Sequence, residues 1–190
     1  TVSDVANDSS GQNAAANNAL TLVDIATLVD ALGADLTSLA IGDGITWIPQ
    51  NSFKDTQLTS VTIGSSVSTI GISAFENAPI TSLTLGHGVT PGNIDANAFT
   101  GTRLDLPGSS VLIERTVTSS DFSTDLPDFS AVLPSNTAVS YAVTLADAVT
   151  DNTLTLSSIP SYLAGIGADL ATLVIGDGIT TIPMDSFRLT

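Results

Sequence analysis

Three stretches of the chain place apolar side chains in the same slots. Leu36, Leu39 and Ile41 lead, after a short gap, to Ile45, Ile48 and Phe53. Leu58, Val61 and Ile63 lead in the same way to Val67, Ile70 and Phe75. Ile80, Leu83 and Leu85 open a third run that closes on Phe99. The first two steps are both 22 residues; the third run carries two extra residues around Pro91–Asn93, so Phe99 falls 24 after Phe75. Alternation at the head of each run predicts a strand of a few residues, and the Gly-x-Gly or Gly-Ser-Ser that follows predicts a turn. Ala-Phe or Ser-Phe then precedes a polar corner. A unit this short cannot bury its own apolar face, so the copies must stack, with each Phe filling the gap between coils.

A longer period contains the short one. GADLTSLAIGDGITWIPQNSF (Gly33–Phe53) returns 134 positions later as GADLATLVIGDGITTIPMDSF (Gly167–Phe187), with 15 of 21 residues identical. The wider match pairs Leu20–Thr56 with Leu154–Thr190 at 20 identities in 37 positions without a gap. Ahead of each copy lies a stripe at helical spacing: Ile25, Leu28, Val29 and Leu32 in the first, and Ile159, Tyr162, Leu163 and Ile166 in the second. Pro160 sits in the first turn of the second stripe, where a missing N–H costs little. Both stripes predict short amphipathic helices that cap the stack following them. The sequence therefore divides into a mobile N-terminal arm (1–19), a capping helix with a solenoid (20–106), a spacer with short strands (107–153), and a second capping helix opening a second solenoid (154–190). Within the spacer, Val111–Ser119 predicts a strand. Ser119–Asn136, punctuated by Pro127 and Pro134, predicts a loop-rich linker, and Ala138–Leu156 a strand, a turn and a further strand or helical piece.

The stretch LTSVTIGSSVSTIGISAFENAPITSLTLG resembles the leucine-rich repeats of BspA-like, Treponema-type surface proteins. Ala74-Phe75 and Ala98-Phe99 match the ending of that family's unit, and Ser52-Phe53 and Ser186-Phe187 match it with Ser for Ala. Gly42, Gly64, Gly86 and Gly176 stand where the family usually has Pro after the strand. The resemblance covers Leu36–Leu106 and Leu170–Phe187. It implies a mainly β fold with short helices: a right-handed, leucine-rich-repeat-like parallel solenoid of about 22-residue repeats, here joined to an irregular β-containing spacer. It also implies a secreted or surface-anchored protein that binds host or matrix components.

Composition narrows the partners. Nineteen acidic residues face only Lys54, Arg103, Arg115 and Arg188, a formal net charge of −15. That charge opposes binding to nucleic acid or an anionic membrane surface and favours solubility, cation binding, or life in salty water where self-repulsion is screened. There is no cysteine, so disulfides, thiolate metal sites and Cys nucleophiles are excluded together. No apolar run approaches the length that spans a bilayer as a helix. The opening TVSDVANDSS carries neither a basic n-region nor an apolar h-region; it reads as a chain whose leader was removed or as part of a longer one. Asn7-Asp8-Ser9 is a formal glycosylation sequon. The expected location is extracellular or on a cell surface, most simply a bacterial one.

Candidate chemistry is sparse. His87, the sole histidine, fills the turn slot of Asp43 and Ser65, a solvated corner rather than part of a triad. Gly42-Asp43-Gly44 and Gly176-Asp177-Gly178 lack the Lys-Ser/Thr of a phosphate loop and the ligand spacing of an EF-hand; they read as tight turns in which Gly supplies a positive φ. Asp121, Asp125 and Asp128 are candidate calcium ligands, with Asp147 and Asp151 a second acidic pair, and the alternative is a solvated acidic surface. Glu76 and Asp95 lie in different units at unmatched positions, which argues against an acid/base pair. No cofactor and no enzymatic activity are expected. Trp47, between Ile45 and Ile48, has a phase that points it outward, where it is either a contact for a protein or glycan or a one-off lateral packing residue.

A bare stack end needs a cover. Leu173, Ile175, Ile182 and Phe187 are the apolar surface to be covered at the second array, either by continuation of a longer repeat chain or by another molecule. The expected function is thus a non-enzymatic structural repeat protein of a surface layer, filament or adhesin stalk, self-associating head to tail into a homopolymer. The alternative is a leucine-rich-repeat module binding a host, matrix or glycan ligand.

Overall fold

The computed structural model describes residue 31 and residues 36–117, 127–145 and 170–175. Ala31 is helical; the rest of both predicted capping helices lies outside the described residues. The described strands are β1 (Ser38–Ile41), β2 (Trp47–Ile48), β3 (Ser60–Ile63), β4 (Thr69–Ile70), β5 (Ser82–Leu85), β6 (Ser110–Val117), β7 (Val139–Leu145) and β8 (Leu170–Ile175). Chain contacts group into two compact units, one of Thr1–Val111 with Asp128–Ala138 and the other of Leu112–Pro127 with Val139–Thr190.

In the first unit the 22-residue period becomes a coil. β1 pairs in parallel with β3, and β3 with β5, each residue meeting the one 22 positions on: Leu39 opposite Val61, Val61 opposite Leu83. β2 and β4 form a second parallel strip in the same register, extended by a bridge between Ile70 and Ile94. Alternation decides the faces. Leu39, Ile41, Val61, Ile63, Leu83 and Leu85 are buried, while Ser38, Thr62 and their counterparts lie on the outer face. The two extra residues of the third coil sit at a single 3-10 turn, Pro91–Asn93, with Pro at its start, where φ is already suitable and no N–H is needed.

The phenylalanines stack as the spacing predicts. The Phe53 and Phe75 rings lie 5.3 Å apart at 12°, and Phe75 and Phe99 lie 5.3 Å apart at 2°. All three are fully buried. Each burial stabilises the fold by about 1.5–3 kcal/mol, and each offset stack by about 0.5–1.5 kcal/mol more. Beside the rings, backbone bonds join the coils: Phe53 N–H donates to the Ala74 carbonyl at 2.7 Å and Phe75 N–H to the Ala98 carbonyl at 2.8 Å. The corner's buried hydroxyls close locally, Thr56 Oγ1 on the Phe53 carbonyl and Thr102 Oγ1 on the Phe99 carbonyl, both at 2.8 Å.

The turn glycines differ from expectation. The left-handed glycines among the described residues are Gly101 and Gly108, not those of the Gly-x-Gly turns. Left-handed backbone is carried instead by polar corner residues, Asn51 and Ser73 at one repeat position and Asp55 and Asn77 at another, with Gly101 next in the second column. Gly64 and Gly86 are required for close approach. A Cβ on Gly64 would lie 2.8 Å from the Ile41 carbonyl oxygen, and one on Gly86 would lie 2.6 Å from the Ser65 nitrogen.

In the second unit β6, β7 and β8 lie side by side in that order. β7 pairs in parallel with β8, Val143 opposite Leu173 and Leu145 opposite Ile175, with a bulge where Ala171 is passed over between Tyr141 and Ala142. β6 and β7 fall on the two strands read from the spacer. The described end of the linker, residues 127–136, is turns and bends as expected, and from Asp128 on it belongs to the first unit, where Phe129, Val132 and Leu133 are buried. Tyr141 Oη donates to the Pro127 carbonyl at 3.3 Å.

Candidate functional site

The side chains singled out by sequence do not gather into one site. Trp47 lies on β2 opposite Thr69 and is 45% exposed, while Ile45 and Ile48 on either side are buried. The outward phase read from its neighbours is therefore what the fold adopts. Ile72 and Leu106 are further large apolar side chains left open in the first unit.

The turn column Asp43, Ser65, His87 runs up one corner of consecutive coils. Asp43 Oδ1 accepts the Ser65 N–H at 2.7 Å, so the carboxylate ties one coil to the next. Glu76 pairs with Lys54 at 3.1 Å. Hydrogen bonding from Ser73, and then from Lys54, holds its carboxyl below the ordinary 4.5. Asp95 is engaged elsewhere, accepting the Asn97 N–H at 2.9 Å. The two carboxylates thus have separate structural partners.

Of the candidate calcium ligands, Asp128 is exposed and accepts the Ser130 N–H at 2.8 Å, which holds its carboxyl below the ordinary 3.8. Asp121, Asp125, Asp147 and Asp151 lie outside the described residues. Among the described residues no group of three or more His, Asp or Glu is placed to hold a metal ion. Of the apolar stack-end residues, Leu173 is half-buried on β8, Ile175 ends that strand, and Ile182 and Phe187 lie outside the described residues.

What the sequence reading missed is how polar groups link the coils. Thr59 Oγ1 donates to the Thr37 carbonyl at 3.1 Å, and Thr81 Oγ1 to the Thr59 carbonyl at 3.4 Å. Ser68 Oγ reaches the Thr46 carbonyl at 3.2 Å, and Asn77 Nδ2 reaches Asp55 Oδ1 at 2.8 Å. Each of these joins residues 22 apart. The signal was present as hydroxyl and Asx residues recurring at that interval, but a flat row of Thr also suits any exposed strand.

Among the described strands β1 has a neighbour only in β3, and β8 only in β7. Val174 on β8 is 48% exposed. No helix among the described residues is long and apolar enough to cross a membrane.

Comparison with known proteins gives one family. Residues 32–118 match the model described as BspA type Leucine rich repeat region, in six copies. Neither the curated proteins nor the solved structures gave a match.

Proposed function

Since residues 32–118 form a BspA-type leucine-rich-repeat region, built as a parallel solenoid, we propose that the protein is a non-enzymatic, extracellular structural repeat protein. It serves as a segment of a surface layer, filament or adhesin stalk, and it associates with its own kind head to tail. One observation carries this reading: a recurring set of polar side chains on the coils bonds to the neighbouring coil. Asp43, Asp55, Thr59, Ser68 and Thr81 all bond across a 22-residue step. Such a lattice of repeating rungs propagates a shape, and its units contact only their neighbours. The high negative charge keeps the array soluble and resists collapse onto nucleic acid or anionic lipid. Electron microscopy and sedimentation of the purified chain test the reading. Extended particles that grow with concentration are expected; compact particles of constant size at every concentration and salt would defeat it.

A second reading, a binding module for a protein or glycan, draws on the open indole of Trp47. Glycan-array or matrix-protein binding that is lost in Trp47→Ala, with an unchanged melting curve, would favour it over the structural role.

A further inference from the structure

We infer that Asp128–Ala138 is a cap of the first solenoid: Phe129, Val132 and Leu133 cover the apolar corner of the third coil at Phe99 and Leu104. On sequence the stretch reads as linker; its packing makes it part of the stack. The role stands whether or not the chain associates with its own kind.

The corner of the third coil is covered, and not by another coil's ring. Inside the stack each Phe is closed by the next, Phe53 by Phe75 and Phe75 by Phe99. Among the described residues no ring stacks on the far side of Phe99. Phe99 is nevertheless 1% exposed and Leu104 2%. A bare solenoid end leaves such side chains open to water. On the strand side the cover is the start of β6, where the Ser110 N–H donates to the Thr81 carbonyl at 2.8 Å and Val111 is buried. The corner side needs a cover of its own.

Asp128–Ala138 has the form of one. It groups with the first unit, although the chain on either side, Leu112–Pro127 and Val139 onward, groups with the second. Phe129, Val132 and Leu133 are buried, while Asp128, Ser130, Ala131, Ser135 and Asn136 are exposed. One apolar side and one polar outer side is the pattern of a terminal repeat. Its first turn also copies the coil corners. The Val132 N–H donates to the Phe129 carbonyl at 3.0 Å, as Ala78 donates to Phe75 at 3.2 Å and Thr102 to Phe99 at 3.3 Å. The third residue of each turn is buried.

The segment departs from a coil corner in where its bonds go. Coil corners pass their N–H groups to the next coil: Phe53 donates to the Ala74 carbonyl, and Asn77 to the Thr100 carbonyl at 2.9 Å. In Asp128–Ala138 the donors turn back on the segment. The Ser130 N–H donates to Asp128 Oδ1 at 2.8 Å, and the Leu133 N–H to the Phe129 carbonyl at 3.1 Å. The N–H and the hydroxyl of Thr137 both donate to the Pro134 carbonyl, at 3.2 and 2.7 Å. Pro134 has no N–H to offer. A segment closed on itself in this way covers an apolar end without offering a ladder to a further corner.

Two measurements on the full chain test the cap. In wild type, nuclear Overhauser contacts are expected from the Phe129 ring or the Val132 and Leu133 methyls to the Phe99 ring or the Leu104 methyls, a readout that needs no variant. In Phe129→Ala, hydrogen exchange should quicken by about tenfold or more at the Asp95, Thr102 and Arg103 amides, which bond to the Ile70, Phe99 and Ile80 carbonyls. The change should be smaller at Ser60 and Gly64, which bond back to the first coil, and the variant should bind an apolar dye that wild type does not. Phe129→Leu should restore most of the protection, because it keeps the site apolar and nearly filled. Absence of the contacts in wild type overturns the cap. So does a Phe129→Ala chain loosened only at the Val132, Leu133 and Thr137 amides, with the third coil still protected and no dye bound. If Phe129→Ala does not fold, the wild-type contacts and Phe129→Leu decide.

Discussion

The glycine column offers a test of the coil geometry within one molecule. Gly42, Gly64 and Gly86 occupy the same repeat position, and a propensity argument would treat them alike. The structure does not. A methyl group on Gly64 would lie 2.7 Å from Asp43 Oδ1, 2.8 Å from the Ile41 carbonyl oxygen and 3.0 Å from the Gly42 carbonyl carbon. Two of these three are backbone atoms, and the Ile41 oxygen also accepts the Gly64 N–H at 2.8 Å. Relief of the clash must therefore move one coil away from the other and stretch that bond. Overpacking of this kind costs about 1–3 kcal/mol, and a weakened hydrogen bond adds about 0.5–1.5 kcal/mol, so Gly64→Ala should lose about 2–4 kcal/mol. Gly42→Ala meets nothing within 4 Å, and Gly42 is not among the positive-φ residues. It should be neutral or should gain about 0.4–1 kcal/mol by restricting the unfolded chain. Urea unfolding of both variants at concentrations too low for association, followed by far-UV circular dichroism, measures the difference. Equal effects, or a larger loss at Gly42, would refute the claim that glycine is there for the neighbouring coil.

Other outcomes follow from single contacts. Phe75→Ala should cost about 3–5 kcal/mol and more than Phe53→Ala, because Phe75 stacks on a ring at each face; denaturant midpoints of the two variants give the order. Asn77→Ala should lose about 0.5–1.5 kcal/mol for the bond to Asp55 and somewhat more because alanine lacks the polar side chain that helps asparagine tolerate left-handed backbone, whereas Asn77→Gly, which has no Cβ to accommodate there, should lose less than Asn77→Ala. Glu76 has a folded pKa below its ordinary 4.5, so its contribution is present above that value and is lost as pH falls through the folded value. The stability gap between wild type and Glu76→Gln should accordingly be present at neutral pH and close in acid, as thermal melts across that range would show.

The sequence was most legible where side chains recur. Leu39, Val61 and Leu83 occur at one interval because they must meet in register, and Phe53, Phe75 and Phe99 because rings must stack; both periods survive translation into structure almost unchanged. The outward phase of Trp47 followed from the same alternation. The turns were less legible. Glycine answers two different needs, positive φ and close approach, and the letters do not say which. At Gly64 and Gly86 the need is set by a backbone 22 residues away rather than by the local turn, while the left-handed positions went to Asn51, Asp55, Ser73 and Asn77, which read only as a polar corner. Buried Phe129, Val132 and Leu133 were hidden for a related reason: between prolines they show no period, so only tertiary packing shows that they are buried.

The step from Phe75 to Phe99 holds two residues more than the step from Phe53 to Phe75, and the stacked rings take no notice. The 3-10 turn at Pro91–Asn93 absorbs them, Ile70 still bridges Ile94, and the Phe75 and Phe99 rings stay within 2° of parallel. Coil geometry is set by what lies above and below, so chain length at that corner is a free variable. For an engineer this is a display port: a foreign peptide spliced between Gly92 and Asn93, both exposed, would be carried on the outside of the solenoid while the rungs on either side keep their spacing.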